Sequence, residues 1–134
     1  MLLPRRGRGR ARGPDTALMT PAELEALIRD TAARTQGVGA LEQSLKWGER
    51  SFAPARPNIG SSVRIQPRAG GDVALMFICH TNLVEQFRAL YPDALAFEGN
   101  RAIVVEAGRP VDRDALSHCI ALALTYKLRK RGRA

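Results

Sequence analysis

Apolar positions near the start of the domain recur at helical spacing, directly after a signal for a helix start. Residues 20–23 are Thr-Pro-Ala-Glu, which places a threonine before the helix, a proline in its first turn and a glutamate three residues after the threonine. In such a capping box the two side chains satisfy backbone N–H groups that the helix leaves unbonded. Four residues then share one helical face: Leu24, Leu27, Ile28 and Thr31. The pattern predicts a helix of about four turns, which ends near Gly37.

The next segment predicts a second, shorter helix. Leu41, Leu45 and Trp47 follow one another at roughly helical spacing, and Gly48 is of the residue type that most often follows a helix C-terminus. Trp47 is the only tryptophan of the chain, and it stands among charged residues. We interpret it in two ways, as a lid over the hydrophobic core or as the wall of a binding pocket.

From residue 62 the period of the pattern changes from helical to two. Residues 62–66 alternate polar and apolar side chains and end at Pro67, and a loop with two glycines then leads to the continuous apolar run 73–78. An alternating strand joined to an apolar run predicts a β-hairpin whose second strand is buried. A second hairpin is predicted where a Gly-Asn turn separates residues 95–98 from residues 101–105.

Two further helices complete the pattern. Thr81 or Asn82 begins the first of them, and a single face carries Leu83, Phe87 and Leu90 before Pro92 ends it. Asp112 begins the last helix, and its apolar stripe consists of Leu116, Cys119, Ile120, Ala123, Leu124 and Leu128. Together these elements predict an α+β domain. Its mostly antiparallel sheet consists of two hairpins and is packed by N-terminal helices, a middle helix and a long C-terminal helix.

Charge is concentrated at the ends of the chain. The 134 residues carry a formal net charge of +8, but 10 of the 21 basic residues lie before Asp15 or after Tyr126. Residues 15–126 therefore hold 11 basic and 13 acidic residues, a net charge of −2. We expect residues 1–18 to be a disordered Arg/Gly-rich tail, residues 19–130 to be the domain and residues 131–134 to be a basic tail. Met19, directly before the capping box, is an alternative start.

Several functional classes have no support in the sequence. No apolar run reaches the length of a transmembrane helix and the start of the chain lacks the apolar part of a secretory signal, so a cytoplasmic location without membrane contact is predicted. No phosphate loop, nucleophile elbow or metalloprotease helix occurs, so an enzyme is not predicted. Cys79-His80 and His118-Cys119 hold metal-binding residue types, but neighbouring residues point apart on a strand and on a helix, which argues against a metal site.

Several segments together resemble the YdhG-like domain family of bacterial proteins. They are the segments 46–52 (Lys-Trp-Gly-Glu-Arg-Ser-Phe), 63–65, 79–81, 97–103 and 121–126, and the resemblance covers roughly residues 20–130. The family typically has Trp-Gly-x-Pro-Ser-aromatic, and here Arg50 stands at the proline position. The resemblance implies an α+β fold of uncharacterised activity. One branch of the family is proposed to be a frataxin-like iron chaperone, which makes intracellular iron or metal handling an alternative function.

The first functional hypothesis is a binding module with an aromatic and arginine-lined pocket. Trp47 and Phe52 would form its walls, and Arg64 and Arg101, each on a predicted strand, would supply positive charge if their strands are neighbours. Two guanidinium groups beside an indole suit a small anion or a planar ligand. A third hypothesis is nonspecific nucleic-acid contact through the basic tails, which contain no aromatic residue for base stacking. The pattern leaves the cofactor and the oligomeric state open.

Overall fold

The computed structural model of the chain describes residues 16–78 and 81–132. Four α-helices are present in this part: α1 (Pro21–Arg34), α2 (Leu83–Leu90), α3 (Arg113–Leu124) and α4 (Tyr126–Gly132). The strands are β1 (Thr16–Ala17), β2 (Leu41–Lys46), β3 (Glu49–Pro54), β4 (Val63–Pro67), β5 (Val73–Met76), β6 (Ala96–Glu98), β7 (Ala102–Val105) and β8 (Val111–Asp112).

Six of the strands form one sheet in the order β2-β3-β4-β5-β7-β6, and every neighbouring pair is antiparallel. The predicted α+β class with a mostly antiparallel sheet is therefore confirmed. Both predicted hairpins are present, as β4-β5 and β6-β7. The capping box of α1 is also present, because the Thr20 hydroxyl accepts from the Glu23 N–H at 3.2 Å and the Glu23 carboxylate accepts from the Thr20 N–H at 2.9 Å.

The two faces of this sheet differ in what lies on them. Side chains from three helices and from alternate strand positions share one hydrophobic core, whose largest fully buried members include Leu24, Ile28, Phe52, Leu75, Phe87, Ile103, Leu116 and Ile120. We call this side the covered face. The opposite side, the open face, carries a small separate cluster of Ala74, Met76 and Ala102, to which none of the four described helices contributes.

The second predicted helix is wrong. Leu41–Lys46 is strand β2, and it pairs with β3 over six residue pairs, from Leu41 with Pro54 to Lys46 with Glu49. Trp47 and Gly48, with φ values of 57° and 75°, form the two-residue turn between these strands. A glycine with positive φ serves a hairpin turn as well as a helix end, and pairing with β3 satisfies more backbone groups than a single helical turn would.

The last helix is shorter than predicted, because it is interrupted at Thr125 between α3 and α4. The loop before β4 lies against this interruption. The carbonyl of Ile59 accepts from the N–H groups of Lys127 and Leu128, both at 3.0 Å. Gly60 approaches the helix so closely that a Cβ at this position would lie 1.9 Å from the Leu124 carbonyl oxygen. The contact therefore requires glycine.

The ends of the domain also differ from the prediction. Thr16 and Ala17, assigned to a disordered tail, pair with Asp112 and Val111 as strand β1, and residues 1–15 lie outside the described residues. Helix α4 continues to Gly132, beyond the predicted boundary at 130. At the start of α2 the Thr81 hydroxyl accepts from the Leu83 N–H at 3.3 Å, while Asn82 makes no side-chain cap.

Candidate functional site

A groove of about 380 Å³ lies on the open face, beside the turn between β2 and β3. It is lined by Lys46, Trp47, Ser51, Ser62, Arg64, Met76, Phe77, Ile78 and Arg101. The register explains this set, because Ser51 pairs with Arg64, Arg64 with Met76, and Met76 with Ala102 across four neighbouring strands. Directly paired residues of antiparallel strands point to the same face of a sheet. Alternate strand positions therefore build the groove.

Trp47 stands at the rim of this groove with 88% of its surface exposed. Its φ of 57° is unfavourable for a bulky side chain, and the first position of such a turn is usually Asn, Asp or Gly. The core-lid interpretation of the tryptophan is therefore wrong. A large exposed aromatic ring in an unfavourable backbone conformation gives no evident benefit to folding, which favours a role in binding.

Arg64 lies on the floor of the groove and forms an ion pair. Its Nε is 2.9 Å from Oε1 of Glu49, and both side chains are about four-fifths buried. The two atoms are buried but are not aligned for a hydrogen bond. The charge of Arg64 is thus partly compensated, while the guanidinium group retains donors at its terminal nitrogens.

Arg101 and Lys46 supply the other positive charges of the groove. Both side chains are exposed, and neither forms an ion pair with a described residue. Arg101 directly precedes β7, and β5 lies between β4 and β7, so the strands of Arg64 and Arg101 are not direct neighbours. The groove nevertheless contains both residues. Its described lining has three cations and no carboxylate, which favours anions.

A second charged group covers the open face next to the groove. The Arg68 guanidinium donates to both carboxylate oxygens of Glu98 at 2.7 Å and to Gln66 at 2.9 Å. The hydrogen bond from Arg68 lowers the pKa of Glu98, while the bond to Glu98 raises the pKa of Arg68. Arg68 also lies 4.0 Å from the sulfur of Met76. Long charged side chains thereby shield the small buried residues beneath them.

Phe52 does not belong to this groove. It is fully buried in the core on the covered face, and the guanidinium of Arg29 lies over its ring at 5.2 Å. The prediction that Phe52 is a pocket wall is wrong because the strand alternates, so that Ser51 faces the groove and Phe52 faces the helices. The structure thus brings together Trp47, Arg64 and Arg101, but not Phe52.

Sequence reasoning missed Lys46, Ser51, Ser62 and three apolar residues of the lining. A signal for two of them was present. Ser62 is two residues before Arg64 in the predicted strand, and alternation alone places their side chains on the same side. Ser51 could have been assigned once Phe52 was recognised as a core residue, since neighbours on a strand face opposite sides.

Metal-binding and nucleophilic residues do not cluster in the described part of the chain. No group of three His, Cys, Asp or Glu side chains suited to a metal ion occurs there, and Cys79 and His80 lie outside the described residues. Cys119 is a buried free thiol, and burial raises its pKa to about 12, which disfavours the thiolate that a nucleophilic cysteine requires. His118 is bonded through Nδ1 to the Tyr91 hydroxyl at 2.6 Å.

Comparison of the chain with family models, with curated proteins and with solved structures finds no match. None of the described helices combines the length and the apolar character that crossing a membrane requires.

Proposed function

We propose that this protein binds a small ligand that carries an anionic group beside a flat ring, in the groove on the open face. One observation carries this proposal: the exposed indole of Trp47 and the three cations Lys46, Arg64 and Arg101 line a single groove. Its volume of about 380 Å³ falls within the lower part of the range for small-molecule sites.

The three cations have different roles in this proposal. Arg101 and Lys46 are exposed and without described ion pairs, so they meet the anionic group first. Arg64 is already opposite Glu49, and a ligand anion would share it through its terminal nitrogens. The hydroxyls of Ser51 and Ser62 add neutral donors along the same wall.

The apolar part of the groove suits the flat ring. Met76 and Phe77 are almost fully buried in its floor, whereas Ile78 is 39% exposed at its side. A ring that lies against Trp47 gains stacking contact, and the neighbouring cations add attraction for its anionic substituent. We therefore infer that stacking on the exposed indole of Trp47 is the main source of specificity for flat ligands.

The resemblance to the YdhG-like family and the cytoplasmic location stay predictions, and the proposal does not depend on either. Metal handling is the alternative that the resemblance suggests. It draws no support from the described residues, where no metal-binding cluster occurs. Nucleic-acid contact through the tails rests on residues that lie largely outside the described part.

A thermal-shift screen tests the proposal. Inorganic phosphate, a dicarboxylate and a nucleoside monophosphate are compared on the wild-type chain and on Arg101→Gln and Arg64→Gln. A ligand at 100 times its Kd stabilises the folded state by about 2.7 kcal/mol, so we expect a higher Tm with the nucleotide. Arg34→Gln is the matched control, because Arg34 pairs with Asp30 on helix α1, away from the groove. Equal shifts in all four proteins would reject the groove as the site.

A further inference from the structure

The two edges of the sheet are protected to different degrees. At one edge, β6 has only three residues, and Arg88 closes it by donating to the Gly99 carbonyl at 2.7 Å and lying over the Phe97 ring at 5.2 Å. At the other edge, β2 has six residues, five of them exposed, and no described strand lies beyond it. A long exposed edge strand offers unpaired backbone groups to another strand.

The hairpin geometry identifies which backbone groups of β2 are unpaired. In a two-residue hairpin, the residues that flank the turn form a hydrogen-bonded pair, here Lys46 and Glu49. Hydrogen-bonded pairs recur at every second position of an antiparallel ladder, and the bond from the Ala55 N–H to the Ala40 carbonyl at 2.8 Å fits this phase. The N–H and C=O groups of Leu41, Gln43 and Leu45 therefore point outward.

The side chains of β2 are complementary to a second copy of the same strand. We propose that two copies of this chain pair through β2 in antiparallel orientation, with the two-fold axis at Ser44. In this register Glu42 of each copy lies opposite Lys46 of the other, which gives two symmetric ion pairs. An axis at Gln43 or at Leu45 would place Glu42 or Lys46 opposite a serine. Charge complementarity thus selects one register.

The same register satisfies the backbone. It places Gln43 opposite Leu45 of the other copy, and both are residues whose backbone groups point outward, so they form hydrogen-bonded pairs. Glu42 and Lys46 then occupy non-hydrogen-bonded pairs, where side chains of opposite strands come closest. Neither copy has to rearrange its own strands, and the two six-stranded sheets join into one sheet that is continuous across the axis.

An exposed leucine adds apolar contact to this pairing. Leu45 is 70% exposed although it points to the covered face, where it is beyond the reach of the core. In the proposed register the two copies of Leu45 are diagonal neighbours across the axis, within reach of each other. Because the axis is perpendicular to the sheet, both grooves would face the same side of the dimer.

Reciprocal charge exchange tests the pairing. Glu42→Lys places lysines at both positions, and Lys46→Glu places glutamates at both, so each variant alone has two repulsive pairs in the proposed dimer. A mixture of the two variants restores both attractive pairs in a heterodimer. Sedimentation velocity over a wide concentration range measures self-association of the wild type and of each variant, and native mass spectrometry of the mixture identifies the heterodimer by mass.

We expect a wild-type dimer, weakening of self-association on the order of tenfold or more in each variant, and recovery in the mixture. Circular dichroism confirms that each variant is folded. A wild-type chain that stays monomeric at all concentrations overturns the proposal, as does a dimer that both charge variants retain or a mixture that forms no heterodimer. Lys46 also lines the groove, so Lys46→Glu changes the ligand site as well as β2, whereas Glu42→Lys changes β2 alone. Ligand binding is therefore judged in Arg64→Gln and Arg101→Gln, which leave β2 unchanged, so a failure of ligand binding is distinguishable from a failure of pairing.

Discussion

Ser51 and Phe52 are neighbours on strand β3, and they face two very different environments. Phe52 is fully buried among helices on the covered face, whereas Ser51 lines a groove on the open face. The covered face is built of large apolar side chains, while the open face has small buried residues beneath long charged ones. The difference indicates that the covered face holds the fold together and that the open face is available for binding.

Substitution at these two neighbours gives the largest expected contrast. Phe52→Ala removes a fully buried ring from the core, and we expect the free energy of unfolding to fall by about 3–5 kcal/mol. Ser51→Ala removes only a hydroxyl from the groove wall, and we expect a loss of less than about 1 kcal/mol. Chemical denaturation measures both. Similar losses of unfolding free energy in the two variants would contradict the claim that the covered face, and not the open face, holds the fold together.

Trp47 gives the next largest effect, in the opposite direction. Asn-Gly is the preferred sequence for the turn that Trp47 and Gly48 form, because asparagine tolerates positive φ better than tryptophan does. We expect Trp47→Asn to raise the free energy of unfolding by up to about 1 kcal/mol, while it abolishes stacking in the groove. Denaturation measures the first effect and the thermal-shift screen the second. A large loss of stability would show that the indole serves folding.

Acid provides a third and smaller contrast. The pKa of Glu98 is lowered in the folded state by its hydrogen bonds with Arg68, so its contribution to stability is present above the unfolded pKa of about 4.3 and is lost as the pH falls through the lower folded value. Because Glu98 is exposed, the effect is small. We expect Arg68→Gln to reduce the steepness of the stability loss in acid, measured by denaturation between neutral pH and pH 3 or so. If stability depends on pH in the same way in Arg68→Gln and in the wild type, the Arg68–Glu98 pair does not contribute to the loss of stability in acid.

The sequence predicted the parts of the fold whose local signals agree with one another. The capping box of α1 and both predicted hairpins depend on residues close together in the chain, and the structure confirms them. The sequence did not predict β2, because Leu41, Leu45 and Gly48 fit a short helix as well as a hairpin. The choice depends on pairing with β3, which the local pattern of β2 does not contain.

The candidate site was predictable only in part, because residue type is visible in the sequence whereas the pairing and order of the strands are not. Residue type alone predicts Trp47, Arg64 and Arg101 as site residues. The structure places all three in one groove, although β5 lies between β4, which carries Arg64, and β7, which Arg101 directly precedes. The prediction for Phe52 fails because residue type alone does not determine which face of the sheet a side chain occupies, whereas strand alternation does. The contributions of Met76 and Phe77 depend on strand order, which the sequence does not display.

Fluorescence of Trp47 tests the central claim most directly, because it is the only tryptophan of the chain and it stands at the groove. The wild-type chain is titrated with adenosine monophosphate, and in parallel with adenosine and with inorganic phosphate. We predict saturable quenching that is strongest with the nucleotide, because only that probe combines a flat ring with an anion, and we predict that Arg101→Gln weakens it whereas Arg34→Gln does not. Emission that is unchanged by the nucleotide, or that responds equally in Arg101→Gln, would contradict the proposed function.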